Sequence, residues 1–171
     1  TLTDMTMSNG KDFAISGSSM IEFIEGTVDV DSVDVTGTGL FTRMRTVDVT
    51  LSADSNPVAD ATVTLLDADG GAAGAALTNS TGVANDITFV TATVDKAGKT
   101  VPSLSGYKAM TVAEVFYNNT VADFRYANMG VTLSDAAGNA ESIALTTKIT
   151  HRVCWYSSST AYDTVSPCSG S

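Results

Sequence analysis

The sequence predicts an all-β protein, a β-sandwich preceded by an additional N-terminal β segment. The clearest support comes from residues 47–71, where apolar and polar residues alternate from Val47 to Leu51 and again around Val63 and Leu65. Ser-Asn-Pro and Asp-Gly-Gly interrupt this alternation, as turns do. Composition is the second observation, because a chain rich in Ala, Val, Thr, Ser, Asp and Gly favours strands and turns over helices.

The N-terminal segment, residues 1–45, consists of short apolar bursts separated by Gly and Ser. Strands this short suit the rungs of a β-solenoid or a tight meander, and ordinary sandwich strands fit equally well. A third alternative is an arm, residues 1–24, that completes the sheet of a neighbouring copy by strand donation. The sequence therefore predicts two regions, this segment and a sandwich over residues 46–171.

Turn residues divide the sandwich region into longer runs, and the last run is predicted to be a central strand. Turns at this spacing are typical of two packed sheets. The expected strands lie near residues 46–52, 60–67, 86–95, 107–117, 121–134 and 141–156.

Length and charge narrow the functional classes. At 171 residues with 43% hydrophobic content, the chain is long enough for one large or two small β domains. A net charge of −10 disfavours binding to nucleic acid or to an anionic membrane, and makes divalent cations the more natural partners. The alternative is that the acidity only keeps a secreted protein soluble.

The two cysteines point to secretion, although no signal segment opens the chain. No apolar run is long enough to insert into a membrane, and because the chain begins with Thr1 we expect a processed mature form or a piece of something larger. Cys154 and Cys168 predict a disulfide in an oxidising compartment, with Trp155 packed beside it. The alternative reading is a metal site of His151 and Cys154 in an H-x-x-C spacing.

One stretch resembles a known family. Residues 56–63 read Asn-Pro-Val-Ala-Asp-Ala-Thr-Val, residues 67–70 read Asp-Ala-Asp-Gly, and residues 79–84 read Asn-Ser-Thr-Gly-Val-Ala. This order of turns resembles the immunoglobulin-like modules called carboxypeptidase-regulatory-like, found in archaeal and bacterial cell-surface proteins, over roughly residues 30–117. The resemblance implies an Ig-like β-sandwich without catalytic residues of its own.

Two acidic pairs are candidate calcium ligands. Asp67 and Asp69 open a segment similar to a calcium loop, although position 78 holds Thr where an EF-hand needs an acid. Asp29 and Asp31 form the second pair. For the first pair, Asp67 and Asp69, the alternative is an ordinary hairpin turn. Calcium is the one cofactor that the sequence suggests.

Asn79 and Asn118 begin N-x-S/T triplets and are candidate glycosylation sites. The single histidine and the lack of a G-x-S-x-G motif argue against a hydrolase, and we expect a protein that is not an enzyme.

The leading functional expectation is a secreted, non-enzymatic structural subunit that self-assembles into a pilus-like filament, a tube or a surface layer. Its partner would then be itself. The alternative is an adhesin or carbohydrate-binding module of the cell surface, which would stack glycans on loop tyrosines. A viral surface or decoration protein fits the same composition. The tyrosines considered for stacking are Tyr117, Tyr126, Tyr156 and Tyr162.

Overall fold

The computed structural model describes residues 2–3, 13–117 and 121–149. The all-β prediction is confirmed, since these ranges form strands joined by turns and one short 3-10 helix, Val30–Ser32. None of the helical structure in them is long and apolar enough to span a membrane. The strands are β1 (Leu2–Thr3), β2 (Phe13–Ile15), β3 (Met20–Ile24), β4 (Val33–Val35), β5 (Leu40–Ala53), β6 (Asn56–Pro57), β7 (Thr62–Leu66), β8 (Ala72–Leu77), β9 (Val83–Asp95), β10 (Gly98–Thr100), β11 (Lys108–Tyr117), β12 (Val121–Gly130), β13 (Asn139–Ala144) and β14 (Thr147–Ile149).

Two large sheets form the sandwich. The first has the order β1-β3-β5-β9-β10, with β6 and β13 also paired to β5, and the second has the order β14-β12-β11-β7-β8. Alternate residues of β5, including Val49 and Leu51, are fully buried, and so are Val63 and Leu65 of β7. They belong to one apolar cluster with side chains from both sheets, which explains why the alternation is so regular in sequence.

The N-terminal segment folds as stacked parallel rungs. Phe13 of β2 pairs with Val33 of β4, and Met20 of β3 pairs with Leu40 of β5, so both pairs of strands share an offset of 20 residues. The turn between the strands keeps the same register, because the Thr38 N–H donates to the Gly17 carbonyl at 2.7 Å. Parallel rungs at constant offset are solenoid geometry, whereas a meander requires antiparallel neighbours.

A second apolar cluster fills this N-terminal stack. Phe23 and Phe41 are fully buried, with ring centroids 6.1 Å apart, and Ile15 lies with them. Ala92 and Val94 of β9 complete the cluster. The rungs therefore pack on the same strand that lines the sandwich core.

The rungs pass into the sandwich without a linker. Strand β5 runs through residues 45 and 46, where the sequence predicts the boundary between two regions. The Arg45 Nη1 donates to the Gly26 carbonyl at 2.7 Å, and the Thr46 hydroxyl donates to the Glu25 carboxylate at 2.9 Å. These bonds fix the turn after β3 to β5 at that point.

The C-terminal run differs from the single central strand predicted over residues 141–156. The chain pairs with β5 as β13, leaves at Leu145, and pairs with β12 as β14. The Leu145 N–H donates to the Ser52 carbonyl at 2.7 Å, and its own carbonyl accepts from Arg125 at 2.9 Å. Leu145 thus satisfies its polar groups while the chain crosses between sheets, which sequence alternation does not reveal.

Candidate functional site

The second sheet is incomplete along one strand. Strand β11 pairs with β12 over its whole length, from Lys108 with Gly130 to Tyr117 with Val121. On its other side it pairs with β7 only as far as Thr111, which lies opposite Val63. Residues 112–117 therefore continue beyond the paired part of β7, and along them this edge of β11 pairs with no strand in the described part of the chain.

The divergence has a local cause in residues 56–61. The Asp60 N–H donates to the Thr78 carbonyl at 2.9 Å, and the Ala61 N–H donates to the buried Thr78 hydroxyl at 3.0 Å. The Val58 N–H donates instead to Leu51 of the first sheet, at 3.1 Å. The chain before β7 is thus drawn away from β11 and crosses to the other sheet.

This divergence leaves a groove of about 460 Å³ between residues 112–115 of β11 and residues 53–61. Its apolar lining includes Val58, Ala59, Ala61, Val112 and Val115. Asp60 and Glu114, both exposed, add two carboxylates to the lining. The groove therefore combines an apolar lining with two carboxylates.

The strand edge supplies directional polar groups. In an antiparallel ladder, alternate residues turn their N–H and C=O groups toward opposite neighbours. Half of residues 112–115 therefore point these groups away from β12 and into the groove. An extended chain entering there would find both backbone hydrogen-bond partners and apolar contact surface.

A buried cation holds the turn between Ala53 and Asn56, two residues that line the groove. The Arg125 guanidinium donates to both carboxylate oxygens of Asp54, at 3.2 and 2.7 Å, and its side chain is only 4% exposed. Asp54 lies in the tight turn between β5 and β6, whereas Arg125 belongs to β12. The two-point contact fixes that turn relative to the second sheet.

The aspartates predicted as calcium ligands take part in local turns. Asp67 Oδ1 accepts from the Asp69 and Gly71 N–H groups at 3.0 and 2.7 Å. Asp29 Oδ1 accepts from the Asp31 N–H at 3.0 Å, and Asp31 pairs with Lys99 at 2.7 Å. No three metal-ligating side chains converge within the described ranges. Calcium binding stays a prediction.

Asn79 also stabilises a turn, since its Oδ1 accepts from the Thr81 N–H at 2.9 Å and from the Val83 N–H at 3.1 Å. Its side chain is exposed, as a glycan acceptor must be. Tyr126 is half-buried on β12 opposite Val112. The side chain of Tyr117 is not described. The remaining candidates lie outside the described residues: Asn118, His151, Cys154, Trp155, Tyr156, Tyr162 and Cys168.

Comparisons of this chain with protein-family models, curated proteins and solved structures returned no match. The Ig-like resemblance over residues 30–117 stays a prediction, while the all-β sandwich rests on the strands themselves.

Sequence reasoning did not identify the groove. Its residues belong to segments far apart in the chain, and neither Val112 nor Glu114 has a neighbouring motif. The available signal was Pro57 followed by Asp60, because a proline and an aspartate at positive φ (58°) mark a chain leaving a regular sheet.

Proposed function

We propose that this chain is a secreted, non-enzymatic structural subunit that assembles with its own copies into a filament, tube or surface layer. The observation that supports the proposal is the half of β11 that has no neighbouring strand among the described residues and lies beside an apolar groove. Proteins usually protect such edges by covering or charging them, because an open edge pairs readily with another chain. A subunit that polymerises would use the same edge for assembly.

The rest of the chain is compatible with this role. Strands β5 and β9 contribute side chains to both the apolar cluster of the rungs and that of the sandwich, which suits a module that carries load between neighbours. A net charge of −10 limits random aggregation, so that contact depends on a matched surface. The predicted disulfide and Ig-like character fit an extracellular location.

The test is electron microscopy of the purified native protein, with and without a calcium chelator. Ordered filaments, tubes or sheets are the expected result. Their loss on chelation, with recovery when calcium is added back, would show that calcium is required at the contacts. Dispersed single particles across a wide range of protein concentration and salt would contradict the proposal.

A further inference from the structure

We infer that the groove beside β11 binds residues 150–156 of a second copy of this chain, in extended conformation and paired with residues 112–115. The inference rests on the proposed function and names its acceptor and its donor. The acceptor is the strand edge of residues 112–115. Apolar side chains and the carboxylates of Asp60 and Glu114 line the groove beside it. The donor must therefore be extended, partly apolar and free of negative charge.

Residues 150–156 read Thr-His-Arg-Val-Cys-Trp-Tyr and meet these requirements. They contain no acidic residue, no glycine and no proline, and they are rich in the β-branched and aromatic types that favour strands. Arg152 would supply a cation to the carboxylates of Asp60 and Glu114 in the lining. In an extended chain Val153 and Trp155 would share one face, opposite Arg152.

The other terminal segment fits less well. Residues 1–12 include the acidic residues Asp4 and Asp12 and the Ser-Asn-Gly sequence that ends at Gly10. Carboxylates on the donor would lie close to those of the groove, and like charges repel in a partly desolvated site. A turn sequence in the middle also opposes an extended conformation. The groove is therefore matched to the C-terminal segment.

Geometry requires that the donor come from a second copy. Strand β14 ends at Ile149 on the far side of β12 and β11, so the groove is three strand spacings away. At about 4.8 Å per spacing this is roughly 14 Å, and at about 3.3 Å per residue the crossing would use four to five residues. Within one chain, residues 150–154 would be spent on the crossing and could not pair along β11.

The resulting contact is head-to-tail. Donor and acceptor are different surfaces, so each copy that joins leaves one donor segment and one groove for the next. Repetition of such a contact builds an open filament or, if the rotation closes, a ring or tube. Such a contact would therefore extend the assembly along one axis, with an open groove at one end and an open donor segment at the other.

The test uses a fluorescent peptide of residues 150–160 with Cys154→Ser, titrated by anisotropy against the full chain at concentrations where sedimentation shows single chains. We expect saturable binding that Ala59→Trp weakens at least tenfold, because the new indole fills the groove from an exposed position. Ala137→Trp, at an exposed loop position outside the groove, is the matched control and should bind like the parent. Thermal melts check that both variants fold.

Charge is tested by a second matched pair. Asp60 and Asp86 are both exposed and both have a φ of 58°. Asp60→Asn should weaken peptide binding about threefold, and Asp86→Asn should leave it unchanged, because only Asp60 lines the groove. Equal effects of the two substitutions would contradict the charge match.

The outcomes separate this inference from the proposed function. Absence of saturable binding to the parent chain, or equal binding to Ala59→Trp, would overturn the inference. Assemblies that persist in Ala59→Trp would overturn it as well and leave the structural role standing. Saturable peptide binding without assemblies under any condition would support the docking and contradict the structural role.

Discussion

Tyr107 precedes β11 and lies in the core between the sheets, with its ring centroid 6.1 Å from that of Phe89. Only 6% of the residue is exposed. Burial, reinforced by the negative charge of Asp67, raises the pKa of the Tyr107 phenol above its usual 10.0. The folded protein therefore retains this proton at a pH where the unfolded chain has lost it.

This shift predicts a loss of stability in alkali. The stabilisation that comes from the neutral phenol is fully present below pH 10. As pH rises above 10 the free energy of unfolding falls, because the unfolded chain then binds fewer protons than the folded protein. Urea unfolding between pH 8 and pH 11.5 measures the effect, and Tyr107→Phe is the control. The variant should lose less stability over this range than the parent, and parallel curves would contradict the assignment.

At the scale of elements, the N-terminal rungs depend on two stacked turns. Gly17 and Gly37 occupy equivalent turns one rung apart, and both have positive φ, 70° and 79°. A Cβ on Gly37 would lie 2.6 Å from the Gly17 carbonyl oxygen, whereas a Cβ on Gly17 would meet no atom within 4 Å. The two glycines share a backbone conformation and differ in crowding.

Alanine at each turn separates these effects. Gly17→Ala should destabilise the protein by about 1 kcal/mol through backbone strain alone. Gly37→Ala should cost about 3 kcal/mol, because the contact is with backbone and cannot be relieved by a rotamer change. Denaturant unfolding of both variants measures the difference. Equal losses would show that the turns are not stacked as closely as described.

The elements also show what the sequence can predict. Strands β5, β7 and β9 follow from alternation, because each has one face in the core. Strand β8 is not predicted, since its sequence Ala-Ala-Gly-Ala-Ala-Leu has neither alternation nor β-branched residues. Its Gly74 is required because a Cβ there would lie 2.7 Å from the Thr88 carbonyl oxygen. The groove depends on where β7 ends relative to β11, a long-range register that local patterns do not encode.

For the whole molecule, the two apolar clusters share the strands that enclose them. Phe41 and Ala92 belong to the N-terminal cluster, while Val49 and Phe89, on the same two strands, belong to the sandwich. Neither β5 nor β9 can detach from one cluster without leaving the other. The rungs and the sandwich should therefore unfold together.

Phe23→Ala tests this coupling. Phe23 is fully buried in the N-terminal cluster, and its truncation should cost about 3–5 kcal/mol. We expect calorimetry to show one transition at a lower temperature, with amides of β9 losing protection from hydrogen exchange. Ala140→Gly, at an exposed position of β13, is the control for a change outside this cluster. Two transitions, with only the first one moved, would contradict the coupling.

The constant offset between rungs also makes the N-terminal segment modular. One rung, formed by β2 and β3, lies on the next, formed by β4 and β5, with Phe13 opposite Val33 and Met20 opposite Leu40, a period of 20 residues for both strands. Duplication of one such period would therefore add a layer about 4.8 Å thick and return the chain to the same face of the stack. The length of this part of the molecule can thus change in fixed steps through duplication or deletion, while β5 still enters the sandwich at the same place.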